Sequence, residues 1–574
     1  MPLLPMLFMD CINKEVSMLK IKKNSLNTIN VNRVSFSGFL SLYFIIITVF
    51  LGGCNKDKVS GDGVDGSTYA KFSLSSAIAA PDADSIKVGV RWSRTKWSLS
   101  TAANGFVSGF SSENGGREDL SSISGDVYVR LKPNLGEQPR SQDIIIKDLT
   151  TGKEEKMAIT QSALSGSDRI TINPAVKYQK VTGFGGMINA SWTGNTQLSV
   201  QDIEKLYGPD GLGLNIGRLM LYPNTSNWSR EVAVAKRAQE LGAILFASPW
   251  TPPPNLKSVN TNSNANGEYL LPENYGTFAA HMKSYVDYYK SQGVNIYAVS
   301  VQNEPDYKVS YDGCSYTPQQ MLDFVKHEGK NVGAKLIAGE AVQFNKSYTD
   351  ALLNDPVAVS NFDIVATHLY GFNFRTTVAD YPLARQHNKE VWVTEHLFNE
   401  TANGYDWLWL PSLKTTLAEE IHDCMTNNFN AYVYWYLKRY YGFMGESPDP
   451  ASPAGYYINA NGEITKRGYI ISHYAKYATG RTRVDVGLGS NISATDFLTT
   501  AYSGTNDITV VLINRTNKAR IMDFVIPSGI TSVTAVETTS DKNMSAVDNA
   551  ISSDKKSVRI RISGESIVSV KMVM

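Results

Sequence analysis

Between Val181 and Gly480, eight apolar runs recur along the chain, separated by stretches with helical spacing. They are VTGFGGM (181–187), LGLNIGRLML (212–221), AILFASPW (243–250), IYAVSVQNE (296–304), AKLIAGE (334–340), FDIVATHLY (362–370), EVWVTEH (390–396) and AYVYWYL (431–437). Runs this short and this apolar read as strands buried on both faces, and strands alternating with helices build parallel sheets. The clearest helix is ENYGTFAAHMKSYVDYYKSQG, where Tyr275, Phe278, Ala279, Met282, Tyr285, Val286 and Tyr289 fall at three- and four-residue steps before Gly293. No GxGxxG turn or phosphate loop follows the first strand, which argues against a doubly wound sheet. The pattern predicts an α/β fold, a (β/α)8 TIM barrel over 181–480, with its chemistry at the C-terminal ends of the strands.

The flanks read differently. Residues 68–165 carry short alternating runs (SIKVGVRW, GDVYVRLK, QDIIIKDL, EKMAITQ) between Gly, Asn and Pro clusters, the pattern of a small all-β sandwich. The order of TKWSLS and a terminal AITQS resembles the BACON domain of exported Bacteroidetes proteins, which implies either a spacer or a contact with carbohydrate or mucin. Residues 481–574 return to short strands and predict a side β-sandwich, to which RITINPAVKYQ within 166–180 adds a strand. Before these lies a glycine-rich tether over 54–67.

The chain opens on an address. Phe39 to Leu51 form a 13-residue apolar run after Lys20, Lys22, Lys23 and Arg33, and Met18 opens a signal of more usual length. Such a run is too short to span a bilayer as a helix but fits a signal peptide over 1–53, the alternative being an uncleaved anchor. The sequence LGGC resembles the lipobox of bacterial lipoproteins. That resemblance implies lipidation of Cys54, a membrane partner through that anchor, and an exported protein facing the periplasm or the cell surface. Cys314 and Cys424 remain as thiols or as a single bridge, without a disulfide framework. A balance of 55 basic against 54 acidic residues gives a net charge of +1, which excludes a partner read by its phosphate charge. Nucleic acid is not expected, whereas 30 Tyr and nine Trp suit neutral ring-shaped ligands.

The fourth strand ends in Gln302-Asn303-Glu304-Pro305 and the seventh in Thr394-Glu395-His396. One Glu at a strand end is commonly an ion-pair partner. Two on facing strands of a barrel mouth are what glycoside hydrolysis needs, one to protonate the leaving oxygen and one to attack or to activate water. NEP and the later Glu look like clan A glycoside hydrolases. GFGGMINASW, SPWTPPPNLK, HLYG, WVTEH, AYVYWYLKRYYG and ITKRGYIISHYAKY together resemble glycoside hydrolase family 30, especially its xylanase subfamily 8, over about 169–574.

The resemblance implies Glu304 as acid/base and Glu395 as nucleophile, acting with retention, so that the carboxyls lie roughly 5–5.5 Å apart and Glu304 is kept protonated. It further implies that Asn303 holds a sugar 2-OH, that Tyr370 orients Glu395, and that Trp250 and Trp435 floor the sugar site, unless they only pack the barrel. Arg218 pairs with Glu395 in this view. His368 and His396 have no HExxH context, so neither a metal nor another cofactor is expected.

In the xylanase subfamily a basic residue after strand eight binds the glucuronate branch of xylan; here that position is Arg439, with Tyr441 two residues on. The positions two and five past the nucleophile, usually Tyr and Ser, are Leu397 and Glu400, and the following loop is long and carries Tyr456 and Tyr457. The expectation is a monomeric endo-β-1,4-xylanase acting on (glucurono)xylan with weakened dependence on glucuronate. Open alternatives are action on a β-1,6-glucan or galactan, xylobiose release, a non-catalytic glycan-binding lipoprotein, and an adhesin.

Overall fold

In the computed structural model the eight apolar runs become eight strands: β1 (Gly183–Met187), β2 (Ile216–Met220), β3 (Ile244–Ser248), β4 (Ile296–Ser300), β5 (Lys335–Ala341), β6 (Ile364–His368), β7 (Glu390–Glu395) and β8 (Ala431–Tyr436). Each is parallel to the next, and β8 returns to β1 to close the barrel. The structure describes residues 66–163, 169–188, 197–371, 377–399, 405–446 and 461–574. The signal, Cys54, Glu400, Tyr456 and Tyr457 lie outside the described residues.

Strand side chains alternate, so every second residue faces the barrel axis. Ile216, Phe246, Ala298, Ile337, Ile364, Trp392 and Val433 form one apolar cluster inside the barrel, with the Trp392 ring edge-on to Phe246 at 5.8 Å. Two residues further along β2, β3 and β4, and four along β6, the same alternation reaches Arg218, Ser248, Ser300 and His368, all fully buried. The barrel is thus apolar below and polar above, and the polar layer lies toward the strand C-termini.

Three strands break step near those ends. Between β5 and β6, Gly339 pairs with Ala366 but Ala341 with Thr367, leaving Glu340 as an extra residue. Between β6 and β7, Thr367 pairs with Val393 and His368 with Glu395, which skips Thr394. Between β1 and β8, Gly186 pairs with Tyr434 and Met187 with Tyr436, which skips Trp435. An extra residue in one strand re-aims the side chains beyond it. The bulge at Thr394 sets Glu395 opposite the inward-facing His368.

Strand Arg169–Lys180 runs antiparallel to Thr482–Leu488 and parallel to Arg520–Val525 within a ten-stranded sheet. Its core holds Ile170, Ile172, Val510, Phe524 and Val568. Helix Lys466–Ala478 lies between this sheet and the barrel. His473 on that helix meets Ser569 Oγ and Thr538 Oγ1 at 2.8 and 2.9 Å, and burial pushes its pKa down to about 3. Residues 69–161 form a four-stranded and a five-stranded sheet around Val90, Val129, Ile144 and Ile159. Cys314 and Cys424 are both buried and free, so the bridge left open above is not formed.

The first strand tolerates no side chain at Gly185, where an added Cβ lies 1.7 Å from the Ile216 carbonyl oxygen of the neighbouring strand. Gly185→Ala is expected to destabilise the barrel by about 3 kcal/mol, the upper range for overpacking, read as a lowered midpoint in urea unfolding. An unchanged midpoint contradicts this packing.

Candidate active site

The site grows from Arg218 on β2. Its guanidinium has no exposed surface and serves four partners. Nη1 donates to Glu395 Oε2, Nη2 to Asn303 Oδ1 at 2.6 Å and to Glu340 Oε1 at 3.2 Å, and Nε to Ser248 Oγ at 3.2 Å. The Trp250 ring covers it, 4.7 Å from centroid to guanidinium carbon. A planar fork with five donors suits this work in a way a lysine cannot match.

Glu395 is held from both sides. Arg218 takes Oε2, and the Tyr370 hydroxyl donates to Oε1 at 2.9 Å. Asn303 gives its Oδ1 to Arg218, so its amide group presents N–H donors for anything bound above. The Gln302 side chain donates to the Trp250 carbonyl at 2.7 Å, and the Asn303 backbone N–H to the Pro249 carbonyl at 2.9 Å, which ties the end of β4 to the end of β3.

Glu304 faces Glu395, and one oxygen of each carboxylate lies within 4.8 Å of the other and of a His368 nitrogen. His368 Nδ1 meets Glu304 Oε1 at 3.1 Å. Burial raises the Glu304 pKa and the Glu395 charge adds to it, while His368 and Arg218 act the other way. Burial alone would push His368 down, but Glu395, Glu304 and Glu340 outweigh it and hold the imidazole up at about 9, protonated at neutral pH. Charged, the ring has an N–H at Nδ1 to donate to the Glu304 carboxylate.

Glu340 is the residue that sequence reasoning missed. It closes β5 at the bulge, is fully buried, and accepts from Ser248 Oγ at 3.2 Å as well as from Arg218. Burial opposes its charge, yet Arg218 and then His368, whose Nε2 lies 3.8 Å away, hold its pKa at about 2. Its signal was a third Glu at a strand end, directly after Gly339. The contact of His368 with Glu304 was also missed, because neither strand pattern nor spacing reports which rotamers meet.

The other sequence-derived positions fall at the same end of the barrel. Trp250 is buried and lies 5.7 Å from the half-buried Trp435, ring to ring. Tyr441 is buried, and its carbonyl accepts from Arg467 Nη1 at 2.7 Å. Arg439 is not an open cation: its Nε lies 3.4 Å from Glu446 Oε2, with both side chains largely shielded. Leu397 is half-buried.

The charge arrangement sets two opposite signs. Glu395→Gln removes a negative neighbour and is expected to lower the pKa of Glu304; His368→Gln removes a positive one and is expected to raise it. Carboxyl 13C shifts followed against pH read both, and two shifts of the same sign contradict the arrangement.

Residues 212–435 match the glycosyl hydrolase family 30 TIM-barrel domain. The chain is 36% identical over 375 residues to glucuronoxylanase XynC of Bacillus subtilis (strain 168), covering 64% of this chain and 83% of that protein. The solved structure of the family 30 subfamily 8 xylanase Xyn30A from Clostridium acetobutylicum aligns with a TM-score of 0.61 at 32% identity, over 71% of this chain and 100% of that one. A family 30 endoxylanase from Clostridium papyrosolvens C71 aligns with a TM-score of 0.60, also at 32% identity, with the same coverage. With its paired strand-end glutamates, the chain belongs to glycosyl hydrolase family 30 and is a glycoside hydrolase.

Proposed function

We propose that this chain is a retaining endo-β-1,4-xylanase, with Glu304 as acid/base and Glu395 as nucleophile. The observation that carries the mechanism is the approach of the two carboxylates to within 4.8 Å. That approach favours the close pair of a retaining enzyme, roughly 5–5.5 Å between carboxyls, over the wider pair of an inverting one, roughly 6.5–9.5 Å. The substrate class is supported by the relatives named as glucuronoxylanase and xylanase.

In the first step Glu304 gives its proton to the glycosidic oxygen as Glu395 attacks the anomeric carbon from the opposite face. In the second, Glu304 takes a proton from water, which displaces Glu395 and restores the starting configuration. Asn303 donates to the 2-OH, where a hydrogen bond strengthens as charge develops on the ring. Trp250 and Trp435 offer apolar faces to the sugar.

Product analysis on linear xylan, arabinoxylan and glucuronoxylan tests the substrate, and 1H NMR of the first-formed anomer tests the mechanism. A ladder of xylooligosaccharides with the β-anomer first is expected, and Glu304→Gln is expected to lose about 10²–10⁴-fold in kcat on xylan. An α-anomer appearing first overturns retention, and no cleavage of any xylan overturns the substrate.

We further propose an exported lipoprotein working as a monomer, tethered through Cys54, with 54–67 as a flexible leash and the 68–165 sandwich as a spacer that holds the barrel off the membrane. Cys54→Ala is expected to abolish palmitate labelling and release the protein from the membrane fraction. Retained labelling overturns the assignment.

A further inference from the structure

We propose that Glu340 is a positioning residue for the reaction: it is the permanent counter-charge that keeps His368 a cation against Glu304 while Glu304 and Glu395 change charge. This deepens the two-glutamate reading and rests on it. The backbone puts Glu340 in place. It is the extra residue of the bulge between β5 and β6, and it has no exposed surface. Its carbonyl accepts the Glu304 N–H at 3.1 Å. Two residues on, the Val342 N–H donates to Asp306 Oδ1 at 2.9 Å, and the Val342 carbonyl accepts the Tyr370 N–H at 3.0 Å. The bulge is thus fastened to the segment that carries Glu304 and to the end of the strand that carries His368.

The side chains complete the arrangement. Glu340 Oε1 accepts from Arg218 Nη2 and from Ser248 Oγ, both at 3.2 Å, and lies 3.8 Å from His368 Nε2. The other nitrogen of that ring, Nδ1, meets Glu304 Oε1 at 3.1 Å. The buried imidazole therefore stands between two carboxyls, and it has an N–H for each only when it is charged. The other titratable groups turned to this cluster are Arg218 from β2, Glu395 from β7, Tyr370 past β6 and Tyr311 past β4, and burial keeps both tyrosines neutral. From β3 and β4 the neighbours are Ser248 and Ser300, which carry no charge. Glu395 and Glu304 also favour the charged ring. In the proposed reaction, however, Glu395 gives up its charge to the ester, and Glu304 is protonated when the first step begins. Glu340, with its pKa held at about 2, stays ionised throughout. Without its charge the Glu304–His368 pair, holding two protons, lies beside one negative charge fewer, and one of those protons leaves to solvent at a lower pH.

The test compares wild type, Glu340→Gln, His368→Gln and the double variant, each checked for folding by thermal unfolding. The first readout is the pH profile of kcat and KM on xylan. The second, which needs no activity, is NMR titration of the His368 ring 15N and the Glu304 carboxyl 13C. In Glu340→Gln the alkaline limb and the first proton loss of the pair are expected to move about one pH unit lower, with KM unchanged because Glu340 meets no sugar. His368→Gln is expected to move the limb the other way. The double variant, which removes one charge of each sign, is expected to bring it back. A folded Glu340→Gln that loses activity equally at every pH, with limb and titration unmoved, is merely a packing defect and overturns the proposal. If Glu340→Gln does not fold, wild type and the double variant decide. An imidazolium at pH 7 in wild type together with an unshifted limb in the double variant supports the proposal, and a neutral ring or a displaced limb overturns it. If wild type cuts no xylan, the xylanase reading falls on that result alone, and the NMR titrations still decide the role of Glu340.

Discussion

The barrel mouth is organised around one buried cation. Arg218 has no solvent to share its charge with, and an unpaired buried guanidinium would be untenable, so its surroundings must supply carboxylates and lone pairs. It draws Glu395 from β7, Glu340 from β5, Asn303 from the end of β4 and Ser248 from β3 to a single planar group. Breaking a buried ion pair of this kind costs about 3–5 kcal/mol, so the geometry of four strand ends is locked by the requirement that this charge stay satisfied. Trp250 lies over the guanidinium and limits the access of water, which strengthens each of these bonds.

The rest of the site is reached through local departures from regular strand geometry. Glu304 and Glu340 both have left-handed backbones, with φ of 47° and 48°, a conformation that costs of order 1–3 kcal/mol for a residue with a side chain. The two are linked: the Glu304 N–H donates to the Glu340 carbonyl at 3.1 Å, so one strained turn props up the other. Together with the bulges at Thr394 and Trp435, they turn into the mouth groups that a regular strand would point elsewhere. Arg467 acts from behind, bonding the Phe398 carbonyl, the Tyr434 hydroxyl and the Tyr441 carbonyl, and so fixes the segments after β7 and β8 against each other.

These departures also explain what was legible in the sequence. Eight apolar runs with strand length and regular spacing located every barrel strand, because burial on both faces leaves a compositional mark. Glu304, Asn303 and Glu395 could be singled out because each lies within the last two residues of such a run. Glu340 ends one too, but nothing local distinguishes a carboxylate that balances an arginine from one that meets a sugar. The bulges leave no periodic trace, since a single extra residue at a strand end is invisible without its partner strand. The approach of Glu446 to Arg439 was not legible, because Glu446 lies seven residues further on, beyond a turn whose closure depends on the Met444 and Leu437 backbones.

Charge balance around the two glutamates connects this geometry to the proposed double displacement. With Glu304 protonated, Arg218 and His368 carry two positive charges against the two negative charges of Glu395 and Glu340, and the buried cluster is neutral. Ionising Glu304 in that state adds an uncompensated negative charge in a buried place beside Glu395, which is the physical origin of its raised pKa. Once Glu395 forms an ester with the sugar, one negative charge is gone. The same cluster then becomes neutral only when Glu304 is ionised, which is the state needed to take a proton from water. Glu340 touches no reacting group in this scheme and His368 reaches only the Glu304 carboxyl, yet without their opposed charges the balance point would not fall on Glu304. One carboxyl can serve first as acid and then as base because the fixed charges around it sum to a value that the nucleophile alone changes.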